Sequence, residues 1–468
     1  NMVSFILPGN SATGGYDVAN SLRFEKTSSD NLSRTSFGTP TLATKFTVSF
    51  WFKRTEFGVA NYLAGAYDGS STNSVDWVFT SGDALSFYFG GNAGSGNLIQ
   101  TNRLFRDASA WYHLVYSVDT TQGTDSNRVK IYINGVQETS FSSATYPAQN
   151  ATCFLFNSSN NRIADNWNAS AAHSFNGYIA EFVHIDGQQL TPTSFGEFDE
   201  DSPTIWKPID VSDLTFGTNG FYLDFEDSSS LGNDAAGSNN FTVNNLTAID
   251  QSTDTCTNNY ATLNPLYKQG SPTYSEGNLK VVLAAGDGTQ GVASNIAVSQ
   301  GKWYFEVKQG NATNSSILVR EASDKEDDLS YYQGSFASYQ FNNGNQGVTG
   351  NTSSTYGASY SSGDIIMVAL DKDNDRVYFG KNGQWNDGSG NADEANINDY
   401  VPLNSVTDAI AAFANANGSA TATAEFNFGS PPYSISSGNS DGKGYGNFEY
   451  AVPSGYYSIN SKNLAEFG

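Results

Sequence analysis

Residues 363–383, GDIIMVALDKDNDRVYFGKNG, leave little room for anything but a β-hairpin. The run 365–370 is apolar without a break, as in a strand covered on both faces. Residues 371–375 carry no apolar side chain and read as a turn. From 376 to 379 the pattern alternates, with Val377 and Phe379 on one face and Arg376 and Tyr378 on the other. Lys381-Asn382-Gly383 then supplies residues that tolerate positive φ. The same design stands earlier in the chain. Residues 113–118 are followed by a polar loop at 119–127 and by RVKIYI at 128–133, which ends in Asn134-Gly135. Two such hairpins predict two β-sandwich units, one built around each.

The rest of the chain agrees. Its 468 residues exceed what one core usually holds. Aromatic residues make up 14%, Gly numbers 46 and Met only 2, and no long stretch is rich in Leu, Ala, Glu and Lys together. Further strands are expected at 21–24, 46–53, 77–80, 84–89, 111–118, 151–156 and 175–185. Strands so spaced, with polar turns between them, form sandwiches. In FTVSFWFK (46–53), Phe46, Val48, Phe50 and Phe52 share one face. The fold class is all-β, two jelly-roll β-sandwiches in tandem. The expected domains are 1–205 and 256–468, with 206–255 as a connecting segment that holds one strand near 221–225.

The formal net charge of −24 argues against nucleic acid as a partner and against anionic membrane surfaces. No apolar run approaches the ~20 residues of a membrane span, and MVSFIL at 2–7 lacks the length and basic flank of a secretion signal. Cys153 and Cys256, one in each expected half, read as two buried free thiols, with a single bridge as the alternative.

Three groups of residues carry family resemblances. The strand 46–53, the segment WYHL at 111–114, VKIYING at 129–135 and GYIAEFVHID at 177–186 resemble the laminin-G/pentraxin-like group of concanavalin-type jelly rolls, over residues 20–200. Ala180 stands where that family commonly has Asp, so no metal or buried acidic role carries over to it. GKWYFEV at 301–307, Tyr356-Gly357, residues 363–383, FNFG at 426–429, PPY at 431–433 and Gly455-Tyr456 resemble the SPRY family over residues 260–468. That fold is itself a bent concanavalin-like sandwich. Residues 2–24 and FYLDFEDSSSLGND at 221–234 resemble structural proteins of tailed bacteriophages, marine ones in particular.

Catalysis is not expected. The three histidines, His113, His173 and His184, show no zinc spacing, and no nucleophile elbow precedes a helix. Carboxylate pairs such as Glu181 with Asp186, or Glu306 with Asp364, are ordinary in an acidic chain. No cofactor is implied, although residues 371–375 (DKDND) match the start of a calcium loop and leave calcium open. Arg376 replaces that loop's sixth-position Gly and Asn382 its twelfth-position Glu.

Binding fits better, because aromatic rings in polar loops stack on sugar faces. Candidates are Trp77, Trp167, Tyr331, Tyr332, Tyr339 and Trp385, with Trp77 and Tyr339 the most core-like. Trp167 and Trp385, flanked by Asn and Asp, and the pair Tyr331 and Tyr332 form the expected ligand site. The phage resemblance implies a non-enzymatic virion appendage protein of head-fibre, tail-fibre or decoration type, made in the host cytoplasm and released by lysis. Its expected partners are other virion proteins and a host cell-surface glycan, in a homo-oligomer such as a trimer. The alternatives are a purely structural cement protein without a host ligand and a glycan depolymerase.

Overall fold

The computed structural model describes residues 15–67, 69, 74–90, 97–157, 160–166, 168, 174–286, 288–311, 315–329, 333–415 and 420–468. The side chains of Asp328 and of residues 351–353 are not among them. The chain is nearly all β, with 42% strand and 4% helix, and forms two compact units, Ala12–Thr257 and Asn258–Gly468.

The first unit stacks two antiparallel sheets. One runs, in order, Val136–Gln137, Val129–Ile133, Trp111–Asp119, Lys45–Arg54, Gly177–Asp186, Ser21–Phe24 and Gln251–Ser252, with Phe221–Leu223 also on Gly177–Asp186. The other runs Phe141–Ala144, Asn97–Leu104, Ala84–Phe89, Ser74–Phe79, Asn61–Tyr67, Asn161–Ile163, Asn31–Arg34 and Thr242–Asn244. The alternation of Lys45–Arg54 decides what lies between them. Phe46, Val48, Phe50 and Phe52 enter the inter-sheet core with Trp77, Phe79, Leu114, Tyr116, Ile179 and Phe182. Each such side chain contributes on the order of 2 kcal/mol by leaving water.

The opposite face of that strand is buried as well. Trp51 packs with Val18, Ala180 and Trp206, and Lys53 Nζ lies 2.8 Å from Asp254 Oδ2 with both side chains inaccessible. Residues 186–257 supply this cover. The expected connection at 206–255 is therefore part of the first sandwich, and Cys256 belongs to that unit too. Trp206–Pro208 pairs with Gly196–Phe198, Phe221–Leu223 with Gly177–Asp186, Thr242–Asn244 with Asn31–Arg34, and Gln251–Ser252 with Ser21–Phe24. The acidic and proline-bearing stretch at 197–208 is exposed at its tip, and that composition resembles a linker.

Residues 151–156 do not form the expected strand. Cys153, Leu155 and Phe156 reach the core, but Phe156 has φ +55° and its N–H donates to the Asn161 side chain at 2.6 Å. The backbone thus leaves the sheet ladder, and Asn161–Ile163 takes the place between Asn31–Arg34 and Asn61–Tyr67.

The second unit repeats the plan. One sheet runs Leu263–Gln269, Gln290–Ser294, Ala409–Asn415, Ser315–Glu321, Phe336–Gln340, Asn345–Val348 and Asn351–Thr355. The other runs Thr273–Ser275, Lys280–Leu283, Ala422–Asn427, Lys302–Gln309, Ile365–Asp371, Arg376–Lys381 and Gln384–Trp385. Off this path, Val401–Pro402 pairs antiparallel with Arg376–Lys381, and Tyr457–Ser458 pairs parallel with Lys302–Gln309. Val377 and Phe379 face the core, as the alternation requires. Ser461–Phe467 forms a helix capped by Asn460, whose side chain accepts from Asn463 N–H.

Candidate functional site

Trp385 is the one expected ligand residue within the described part of the chain; Trp167, Tyr331 and Tyr332 lie outside it. The expectation of an exposed Trp385 ring is wrong. Only 4% of the residue is accessible, and the ring packs with Tyr304, Met367, Ala369, Phe448 and Tyr456. After the Asn382-Gly383 turn the chain pairs back on the hairpin, Gly380 opposite Trp385. The indole is thereby laid on the sheet's outer face, beneath the segment that carries Phe448 and Tyr456. Its polar neighbours Gln384 and Asn386 suggested solvent, but the turn geometry governs. Trp77 and Tyr339 are core residues.

The same hairpin presents another aromatic group. Arg376 and Tyr378 alternate outward from the core-facing Val377 and Phe379, and both are half-buried. Val401–Pro402 pairs with residues 376–377 of this strand, which brings the preceding Tyr400 beside them. Tyr400 is 39% exposed. Its ring lies 4.3 Å from the Arg376 guanidinium carbon and meets the Tyr378 ring edge-on at 6.2 Å. The Tyr378 hydroxyl oxygen beside Arg376 holds the guanidinium pKa above its ordinary value, with smaller help from Tyr400 and Asp371. Nearby, Lys302 lies over Tyr456 at 5.8 Å and reaches Asp371 Oδ2 at 3.3 Å. An accessible ring beside a stacked guanidinium offers a flat apolar platform and directed N–H donors. The alternation at 376–379 already placed Arg376 and Tyr378 together. Tyr400 was missed because its position depends on a two-residue strand with no periodic signal.

The acidic turn at 371–375 is filled by protein donors. Asp371 accepts from Asn374 N–H and Nδ2 and pairs with Lys302. Asp373 accepts from Gly301 N–H. The Lys372 ammonium lies between Asp375 and the Val406 carbonyl. An ammonium thus stands beside the carboxylates that a calcium loop would turn on its ion. Among the described residues, no group of three or more His, Cys, Asp or Glu side chains is arranged to hold a metal.

His113 and Ser49 come within 2.8 Å, the spacing of a nucleophile and its base. The proton is on the wrong nitrogen for that role. Trp206 Nε1–H donates to His113 Nδ1 at 2.9 Å, so the neutral ring carries its proton on Nε2 and donates to Ser49 Oγ. Complete burial, with the ring stacked on Trp51, lowers the imidazole pKa to about 3. His184 is likewise buried, beside Phe46, Phe156 and Phe221, with its pKa lowered to about 4. His173 lies outside the described residues.

The carboxylate pairs do not converge. Asp186 accepts from the backbone N–H groups of Thr41, Leu42 and Asn219, whereas Glu181 is held by Tyr222. Glu306 receives the Tyr304 hydroxyl, the Glu449 and Tyr450 N–H groups and Asn427 Nδ2. Burial still pushes it up to about 7 against those donors. Asp364 is engaged by Asn382 and Ser361. Cys153 and Cys256 are both free thiols.

Residues 26–193 match the family model Laminin_G_3, described as the concanavalin A-like lectin/glucanases superfamily. The first unit thus contains a concanavalin-like domain. Solved structures similar to this chain include the SPRY domain of human HERC1, at 14% identity over 35% of this chain and 96% of that one, with a TM-score of 0.29. A heptameric SAP-like pentraxin from Limulus polyphemus is 16% identical over 38% of this chain and 80% of its own, with a TM-score of 0.27. A candidate carbohydrate-binding protein from Bacteroides ovatus is 16% identical over 49% of this chain and 59% of its own, with a TM-score of 0.35. No curated protein matches the sequence.

Proposed function

We propose that this chain is a non-enzymatic glycan-binding protein whose ligand rests on Tyr400 in the second sandwich. The observation that carries this reading is the accessible Tyr400 ring stacked with Arg376 and braced by Tyr378. A sugar's C–H face suits the ring, and the guanidinium edge suits a pair of hydroxyl oxygens. The finer reading is an appendage protein of a tailed-phage virion that presents this platform to host surface glycan. It is supported by the resemblance of residues 2–24 and 221–234 to such proteins. Many copies on one particle, or a homo-oligomer, would raise weak single-site binding through avidity.

A glycan array probed with the full chain, followed by titration calorimetry on the best hit, tests the reading. Tyr400→Ala is expected to weaken binding by about tenfold, the scale of one stacking contact, and Arg376→Gln by a similar factor. Trp385→Phe, a change beneath the surface, is expected to leave affinity within about twofold at full folding. Specific binding that ignores Tyr400 and Arg376 moves the site elsewhere. No binding at any avidity favours the cement role.

A further inference from the structure

The strand Gly177–Asp186 slips register against Lys45–Arg54 between Ala180 and Val183. Glu181 occupies this bulge at φ +51°, a left-handed conformation that costs a glutamate energy. The kink takes its side chain out of the strand's alternation, and the residue is 6% exposed. Its Oε2 accepts from the Tyr222 hydroxyl at 2.7 Å, and the Tyr222 hydroxyl lies 3.1 Å from the Tyr16 hydroxyl. A three-membered chain therefore links the central strand, the strand Phe221–Leu223 and the segment that leads into Ser21–Phe24.

The surroundings disfavour a charge on Glu181. Asp224 and Glu226 face it from beyond Phe221–Leu223, Asp210 faces Tyr16, and the half-buried Cys256 lies close by. Asp254, also near Cys256, is paired with Lys53. Among the described residues, no lysine or arginine forms an ion pair with Glu181. The hydroxyls of Tyr222 and Tyr16 do not replace the hydration of an ionised carboxylate.

We propose that Glu181, Tyr222 and Tyr16 form a proton-operated latch. While Glu181 is neutral, the latch holds the chain near residue 16 and the strand Phe221–Leu223 against the first sandwich. When Glu181 ionises, they are released. Burial, aided by the neighbouring acids, pushes the carboxyl up to about 8, against about 4.5 once released, so the latch loosens as pH rises from about 4.5 to 8 and changes little above that.

Hydrogen exchange on the full chain from pH 6 to 9.5, corrected for intrinsic rates, tests the latch. Peptides covering residues 15–24 and 219–227 are expected to lose protection by more than about tenfold between pH 6 and 8 and to change little above that. Glu181→Gln keeps an acceptor for Tyr222 and cannot ionise, so its profile should stay flat. Tyr222→Phe cuts the link between Glu181 and the strand, so protection at 219–227 should already be low at pH 6 and should vary little with pH. A flat wild-type profile, or a Glu181→Gln profile that follows the wild type, overturns the proposal. So does a transition that Tyr222→Phe leaves in place.

Discussion

His113 shows how far a residue can be read without its surroundings. Its place on a strand was legible, and so was the absence of zinc spacing. Its tautomer was not, because Trp206, 93 positions away, sets it. The fixed neutral form has a pH signature. The folded ring binds a proton only near pH 3, whereas an unfolded histidine binds one near 6.5. Below that value the unfolded state takes up the extra proton, so stability is lost as pH falls from about 6.5 toward 3, by up to about 5 kcal/mol. In His113→Gln, an amide offers Trp206 an acceptor and Ser49 a donor. Acid titrations of chemical unfolding should fall less steeply for this variant than for the wild type across that window, and parallel curves would refute the assignment. Glu306 acts with the opposite sign. Its raised value means stability declines as pH rises from about 4.5 to 7, and Glu306→Gln should flatten that decline. Its four donors explain why a carboxylate was needed there at all.

At the level of elements, the two hairpins that organised the sequence are built alike. Asn134 and Asn382 both adopt left-handed conformations, with φ of +49° and +50°, each followed by a glycine at positive φ. In each turn the Asn N–H donates to a carbonyl across the hairpin, that of His113 or Ile365. The same residue's N–H donates back to the Asn side chain. Sequence revealed these turns because Asn-Gly states its backbone requirement locally. It did not reveal the irregular course of 151–156, where an apolar run buries side chains without pairing, nor the bulge at Glu181. The turns differ in what lies above them. A Cβ on Gly135 would run into the Trp206 ring, whereas one on Gly383 meets Tyr450 Cδ1 at 3.0 Å. Gly135→Ala is therefore expected to destabilise by about 3 kcal/mol, strain and overpacking together, and Gly383→Ala by about 1–2. Denaturant midpoints would rank them, and an equal cost would show that Trp206 yields freely.

For the whole molecule, the all-β class and the two sandwiches were legible from period-two patterning, but the border between the units was not. The segment 206–255 has a linker's composition because its strands are only two or three residues long and its loops face solvent. Six of its apolar residues, Phe221, Leu223, Phe225, Leu231, Phe241 and Leu246, nevertheless lie in the first core. A chain cut after residue 205 should therefore expose that core and bind hydrophobic dyes. One ending at residue 257 should unfold cooperatively, and calorimetry separates the two outcomes. The proposed platform was half legible, through Arg376 and Tyr378, and half hidden, through Tyr400. Each unit also brings its own ends together. Ser21 pairs with Ser252 in the first, and Tyr260 bridges Asn460 antiparallel in the second. Tension applied through those ends loads the joining hydrogen bonds one after another rather than all at once, so each sandwich opens as a zipper does and yields at low force, first at the seam where its chain enters and leaves.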